Sequence, residues 1–96
     1  MRREARWVSR YDIGEEPILK FVDLMMSKGE VQTALAMSRE LSRSFPESGR
    51  AAEAIARAQL ALGQTAEAII SLRRLLEINP QNRWGAETLK ELEKKK

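Results

Sequence analysis

Apolar residues recur at steps of three and four along most of this chain, and nowhere do they alternate as a strand would require. Between Gly63 and Pro80, the residues Ala68, Leu72, Leu75 and Leu76 fall on one helical face. The same skeleton stands 34 residues earlier: Gly29, Ala34, Leu41 and Pro46 precede Gly63, Ala68, Leu75 and Pro80 by one period. Glycine can close a helix because it enters the left-handed region at little steric cost. Proline cannot continue one, because it lacks an N–H and clashes with the preceding turn. Each unit therefore reads as helix, glycine turn, helix, proline stop, and repetition at a fixed stride predicts stacked units.

The pattern predicts helices over 16–28, 31–44, 50–62, 65–78 and 83–94, joined by short turns. In the first, Pro17 suits the opening turn, and Ile18, Phe21, Val22 and Met25 form the apolar stripe with Leu24 beside it. The second buries Ala34, Leu35, Met37 and Leu41. The third carries Ala51, Ala52, Ala54, Ala56, Ala58 and Ala61, a slim surface on which neighbours can approach closely. Ser48 and Asn82 are placed to cap the helices that follow them. In the last helix, Lys90 and Glu93 stand where the unit before has Ala56 and Gln59, so its outer side is polar, as a terminal cap requires.

Residues 2–11 also read as helical, with Trp7, Val8 and Tyr11 on one face. Trp7 is in register with Leu41 and Leu75, so this segment looks like the tail of a second helix whose first half is missing. The whole is expected to be one domain over 1–96: a partial helix at 1–14, units at 15–48 and 49–82, and a capping helix at 83–96.

Composition narrows the chemistry. Hydrophobic residues are 43% but aromatics only 5%, so the core must rest on Leu, Ile, Ala and Met. The chain has no Cys and no His, which removes disulfides, thiolate metal sites and the commonest general base. There is no glycine-rich phosphate loop and no evident carboxylate pair, so catalysis, cofactors and metals are not expected. The net charge of +3 sits at the ends: Arg2, Arg3, Arg6 and Arg10 at the start, Lys94, Lys95 and Lys96 at the finish. Between Tyr11 and Glu93 there are ten Lys/Arg and thirteen Asp/Glu. A nucleic-acid surface needs basic groups clustered on the folded face, so solvated termini are the reading, with neither nucleic acid nor membrane expected as partner. No apolar run approaches the ~18 residues of a membrane span and no signal region is visible, which gives a cytoplasmic location by default.

Residues 15–82 resemble two tetratricopeptide repeats. The second unit supplies Ala52, Ile55, Ala56, Gly63, Ala68, Leu72 and Pro80; the first supplies Ile18, Phe21, Val22, Gly29, Ala34, Leu41 and Pro46. Gln59 stands where the family has Tyr or another large residue, and Ser38 where Leu72 or an aromatic belongs. The resemblance implies an all-α, right-handed solenoid of antiparallel helix hairpins. It also implies a concave groove lined by the first helix of each hairpin, which holds peptides or helices.

By that resemblance the groove is formed by Glu16, Leu19, Asp23 and Met26, then Arg50, Glu53, Arg57 and Leu60, then Trp84, Glu87 and Glu91. The charges form columns, Glu16 with Arg50, and Asp23 with Arg57 and Glu91. Either they neutralise each other across helices, or Arg50 and Arg57 bind a partner carboxylate while Leu19, Met26 and Leu60 make apolar contacts. Leu19 and Asp23 occupy the places where some members carry the Lys and Asn that clamp a terminal carboxylate, which disfavours that ligand. Trp84 is either a binding anchor or packing at the cap. Trp7 and Tyr11 are either filler under the first helix or an N-terminal docking face. The expected function is protein or peptide binding through the groove. The alternatives are a structural tail of a larger protein, such as an enzyme, or a self-associating module, since two repeats fall short of the usual three and a homodimer through the N-terminal face is then expected.

Overall fold

The computed structural model describes residues 16–94; the segment holding Trp7 and Tyr11 lies outside the described residues. Within them five helices follow in order: α1 (Glu16–Ser27), α2 (Val31–Ser44), α3 (Gly49–Ala61), α4 (Thr65–Ile78) and α5 (Arg83–Lys94). No strand occurs among the described residues.

The helix ends follow from the punctuation. Gly29 and Gly63 both have positive φ, +84° and +79°. The amide after each glycine reaches back across the helix end, Glu30 N to the Met25 carbonyl at 2.8 Å and Gln64 N to the Gln59 carbonyl at 2.9 Å. This is the bond that satisfies carbonyls left over at a helix C-terminus when the next residue turns left-handed. The second helices end differently. Phe45 and Asn79 leave the helical region, with φ of −129° and −136° and ψ of 74° and 86°, because the proline that follows each disfavours the helical conformation. At the other ends, Ser48 Oγ accepts from the Ala51 amide at 3.1 Å, and Asn82 Oδ1 accepts from the Gly85 amide at 2.7 Å.

Each helix packs on the next, and α1 also touches α3, so the first helices of the two hairpins share one side. The radius of gyration is 14.4 Å, against roughly 12 Å for a globule of this size. The extents of 53 × 29 × 17 Å describe a slab rather than a ball. The core is correspondingly a strip. One cluster joins Ala52, Ala56, Leu72 and Leu75, with Ile78, Trp84, Leu89 and Leu92 packed against it. Another joins Leu19, Leu41 and Ala51, with Ile18, Phe45 and Ala54 around it.

Three details differ from the sequence expectation. Phe21 and Leu24 are not buried: each is 45% exposed, and Leu19 and Val22 carry the burial of α1 instead. The reason lies in the 34-residue column Phe21, Ile55, Leu89. Leu89 packs against the core of the hairpin before it, whereas no described hairpin precedes Phe21. Met37 and Ile55 are only half-buried. Finally, the polar residues at core positions are accommodated by local bonds. Ser38, fully buried, donates to the Ala34 carbonyl at 2.8 Å, and Ser71 Oγ donates to Gln59 Oε1 at 2.6 Å. No buried side-chain nitrogen or oxygen among the described residues lacks a partner.

Gly85 has a role that the helical pattern did not announce. It is buried, and a Cβ built there would stand 2.7 Å from Leu75 Cδ2. The missing side chain is what lets α5 settle onto α4. The only hint in the sequence is that Gly85 stands one period after Ala51, a residue with no exposed surface.

Candidate functional site

The side shared by α1 and α3 carries a shallow depression of about 150 Å³, lined by Leu19, Asp23, Arg50, Glu53, Ala54 and Arg57. Leu19 forms part of its floor rather than a free contact, because it is 6% exposed and locked against Leu41 and Ala51. Met26 and Leu60 are half-buried on the same two helices.

The charges around it are arranged unequally. Arg50 Nη1 donates to Glu16 Oε1 at 2.7 Å, between positions one full period apart. That guanidinium holds the Glu16 carboxyl below its ordinary value of 4.5, by hydrogen bond first and by charge second. A lowered folded-state pKa stabilises above the ordinary value and loses its effect as pH falls through the lowered one. With both side chains more than half exposed, solvent screens the pair and its contribution to stability is small.

Arg57 is held differently from the cross-helix column with Asp23 and Glu91. Its Nε and Nη2 both donate to Glu53 Oε2, at 3.0 and 2.7 Å, within α3 itself. Glu53 Oε1 in turn accepts from Asn82 Nδ2 at 3.1 Å. Asn82 is the residue whose Oδ1 caps α5. The Arg57 guanidinium also lies 4.4 Å over the ring of Trp84. Trp84 itself packs on the Ala52, Ala56, Leu72 and Leu75 cluster. Arg57, Glu53, Asn82 and Trp84 thus form a continuous brace that ties the capping helix to α3. The cap at Asn82 was legible from sequence. Its second bond, to Glu53, was not, because the reach depends on how α5 sits against α3.

Asp23, Glu87 and Glu91 are exposed and have neither hydrogen bond nor ion pair among the described residues. On the far side of α5, Arg73 Nη2 donates to Glu93 Oε2 at 2.7 Å, a further tie between α4 and α5.

Because Asn82 serves two helices at once, Asn82→Ala is expected to lower unfolding free energy by about 1–2 kcal/mol, the usual worth of a cap plus a second bond. Asn82→Asp should recover less than the cap alone is worth, since it sets a carboxylate beside Glu53. Urea unfolding of the three proteins checks both.

The described residues thus form a hairpin repeated at a 34-residue stride, glycine-closed and proline-stopped, with its neighbour nested alongside. A family model for the tetratricopeptide repeat matches residues 25–88, about two-thirds of the chain. The chain belongs to the tetratricopeptide repeat family. Comparison with curated proteins and with solved structures returned no match. Tetratricopeptide repeats generally mediate protein–protein interaction and are typically non-enzymatic modules. Among the described residues no cluster of His, Cys, Asp or Glu could hold a metal ion, and no helix is long and apolar enough to cross a membrane.

Proposed function

We propose that this tetratricopeptide repeat domain binds a protein segment on the surface formed by α1, α3 and α5, with the depression over Leu19 and Ala54 taking one of the partner's side chains. The observation that carries the reading is the concavity itself, on the side where the first helices meet, floored by apolar atoms and rimmed by charge. Shape and a few apolar contacts supply affinity, and charged groups set register. Ala54 is half-buried at the edge of the depression, beside the Leu19, Leu41 and Ala51 cluster, so Ala54→Trp places a large ring in it. Binders selected from a displayed library of random peptides on the intact chain are expected to lose at least tenfold in affinity for Ala54→Trp. They should keep it for Ile70→Asp, a change at a 66% exposed position of α4. Binders indifferent to Ala54→Trp, in a protein of unchanged circular dichroism, would sink the reading.

A second reading has its own observation. Phe21 and Leu24 are the large apolar side chains that α1 leaves exposed. They lie three residues apart on one helical face, as a surface for self-association would. Light scattering is expected to show a dimer that Phe21→Ser with Leu24→Ser converts to monomer; a monomeric parent protein would remove this reading.

A further inference from the structure

The apolar face that α1 exposes has counterparts on α3 and α5, and there it is covered. Phe21 and Leu24 stand two periods before Leu89 and Leu92. Those two are half-buried on α5, packed against the cluster that contains Leu75 of α4. Ile55 and Ala58, the matching pair on α3, are half-buried and fully buried. Phe21 and Leu24 are each 45% exposed. The column through Pro17 behaves in the same way: Ala51 and Gly85 are buried, while Pro17 is exposed. In both covered cases the preceding helix in the chain packs on the face, α2 on α3 and α4 on α5.

One position in each preceding helix sits at the centre of that packing. Leu75 has no exposed surface and meets the Gly85 position on α5. Leu41, one period earlier, is buried and joins Ala51 of α3. One period earlier again stands Trp7. It precedes Phe21 and Leu24 by fourteen and seventeen residues, the same spacing that separates Leu75 from Leu89 and Leu92. Tyr11 stands one period before Phe45, which packs beside Leu41 and Ala51. Residues 45–48 suffice to turn the chain from α2 onto α3, and residues 11–14 hold the same place before α1.

We propose that the occupant of the exposed α1 face is this chain's own segment 2–11, which lies outside the described residues, with Trp7 over Phe21 and Leu24 and Tyr11 at the first turn of α1 near Pro17. A tryptophan brings on the order of 150–250 Å² of burial, enough to close over both side chains. A short tether holds the segment at an effective concentration on the order of millimolar, so a second copy in dilute solution competes poorly for the same face. This assignment does not depend on groove binding, and it gives to the chain itself the face that the self-association reading gives to a second copy.

The test uses the full chain. Trp7→Ala is expected to lower the melting temperature by about 6 °C, and by less than half as much when Phe21→Ala and Leu24→Ala are already in place. The loss should be constant over a roughly hundredfold range of protein concentration, because a contact within one chain is not diluted. Trp7 and Trp84 are the chain's two tryptophans, so Trp84→Phe isolates the emission of Trp7. That emission is expected to shift to the red when Phe21→Ser and Leu24→Ser are added. Emission that ignores those two changes overturns the proposal. So does an equal loss, or none, from Trp7→Ala in both backgrounds, which places Trp7 elsewhere. A loss that fades on dilution overturns it too and hands the face to a second copy.

Discussion

Leu75→Ala is expected to be the most damaging single truncation in this domain, lowering unfolding free energy by about 3–4 kcal/mol. Leu75 has no exposed surface and stands where three helices meet. It belongs to the cluster with Ala52, Ala56 and Leu72. Its Cδ1 lies 3.7 Å from where a Cβ of Gly49 would be, at the start of α3, and its Cδ2 fills the space Gly85 leaves in α5. Removing three carbons there opens a cavity between α3, α4 and α5, where Ala52, Ala56, Gly49 and Gly85 supply no side-chain atoms to fill it. Small domains have total stabilities of roughly 5–10 kcal/mol, so the loss is a large fraction. A fall in melting temperature of about 15 °C, followed by circular dichroism, is the corresponding observable. A shift under about 4 °C would mean that the strip-like core is not continuous through Leu75.

Gly85→Ala is the complementary experiment, and its sign is expected to depend on the background. In the parent protein the new methyl meets Leu75 Cδ2 at 2.7 Å, within an enclosed core, so the helix must retreat or Leu75 must leave its rotamer. Overpacking of this kind costs about 1–3 kcal/mol, against a gain of about 1 kcal/mol from replacing glycine in a helix. A net loss of up to about 2 kcal/mol follows. In the Leu75→Ala background the obstacle is gone. There Gly85→Ala should stabilise by roughly 0.5–1 kcal/mol, through helix propensity and partial filling of the cavity. The double-mutant cycle should therefore show a coupling of about 0.5–3 kcal/mol. Additive effects would mean that α5 does not rest on Leu75.

Some of the proposed binding surface is less sensitive than its charge suggests. Glu16 and Arg50 form a pair that solvent screens, so it orients the rim of the depression more than it stabilises the fold. Arg57 is another matter, since its bonds run through Glu53 and Asn82 to the first turn of α5. Any variant at Arg57 alters the seating of the capping helix as well as the surface, so Arg57 is a poor probe of binding alone.

The order of the helices, their ends and the fact of stacking were written in the sequence. Gly29 and Gly63 had to turn left-handed, Phe45 and Asn79 had to leave the helical conformation before proline, and Ser48 and Asn82 had to cap, because backbone sterics and hydrogen bonding act over four or five residues. The side on which Leu19, Asp23, Arg50 and Arg57 gather was legible too, through a 34-residue stride that brings matched positions together. Three things depended on distances between helices, and only the tertiary structure could decide them. Phe21 is exposed because burial of a helix face requires a neighbour, and periodicity says nothing of whether one is there. Gly85 matters because Leu75, ten residues earlier on another helix, points at it. Arg57 chose Glu53 and the ring of Trp84 over Asp23 and Glu91 because a long side chain with several partners of the right sign settles on whichever packing brings within about 3 Å, a separation the order of residues does not specify.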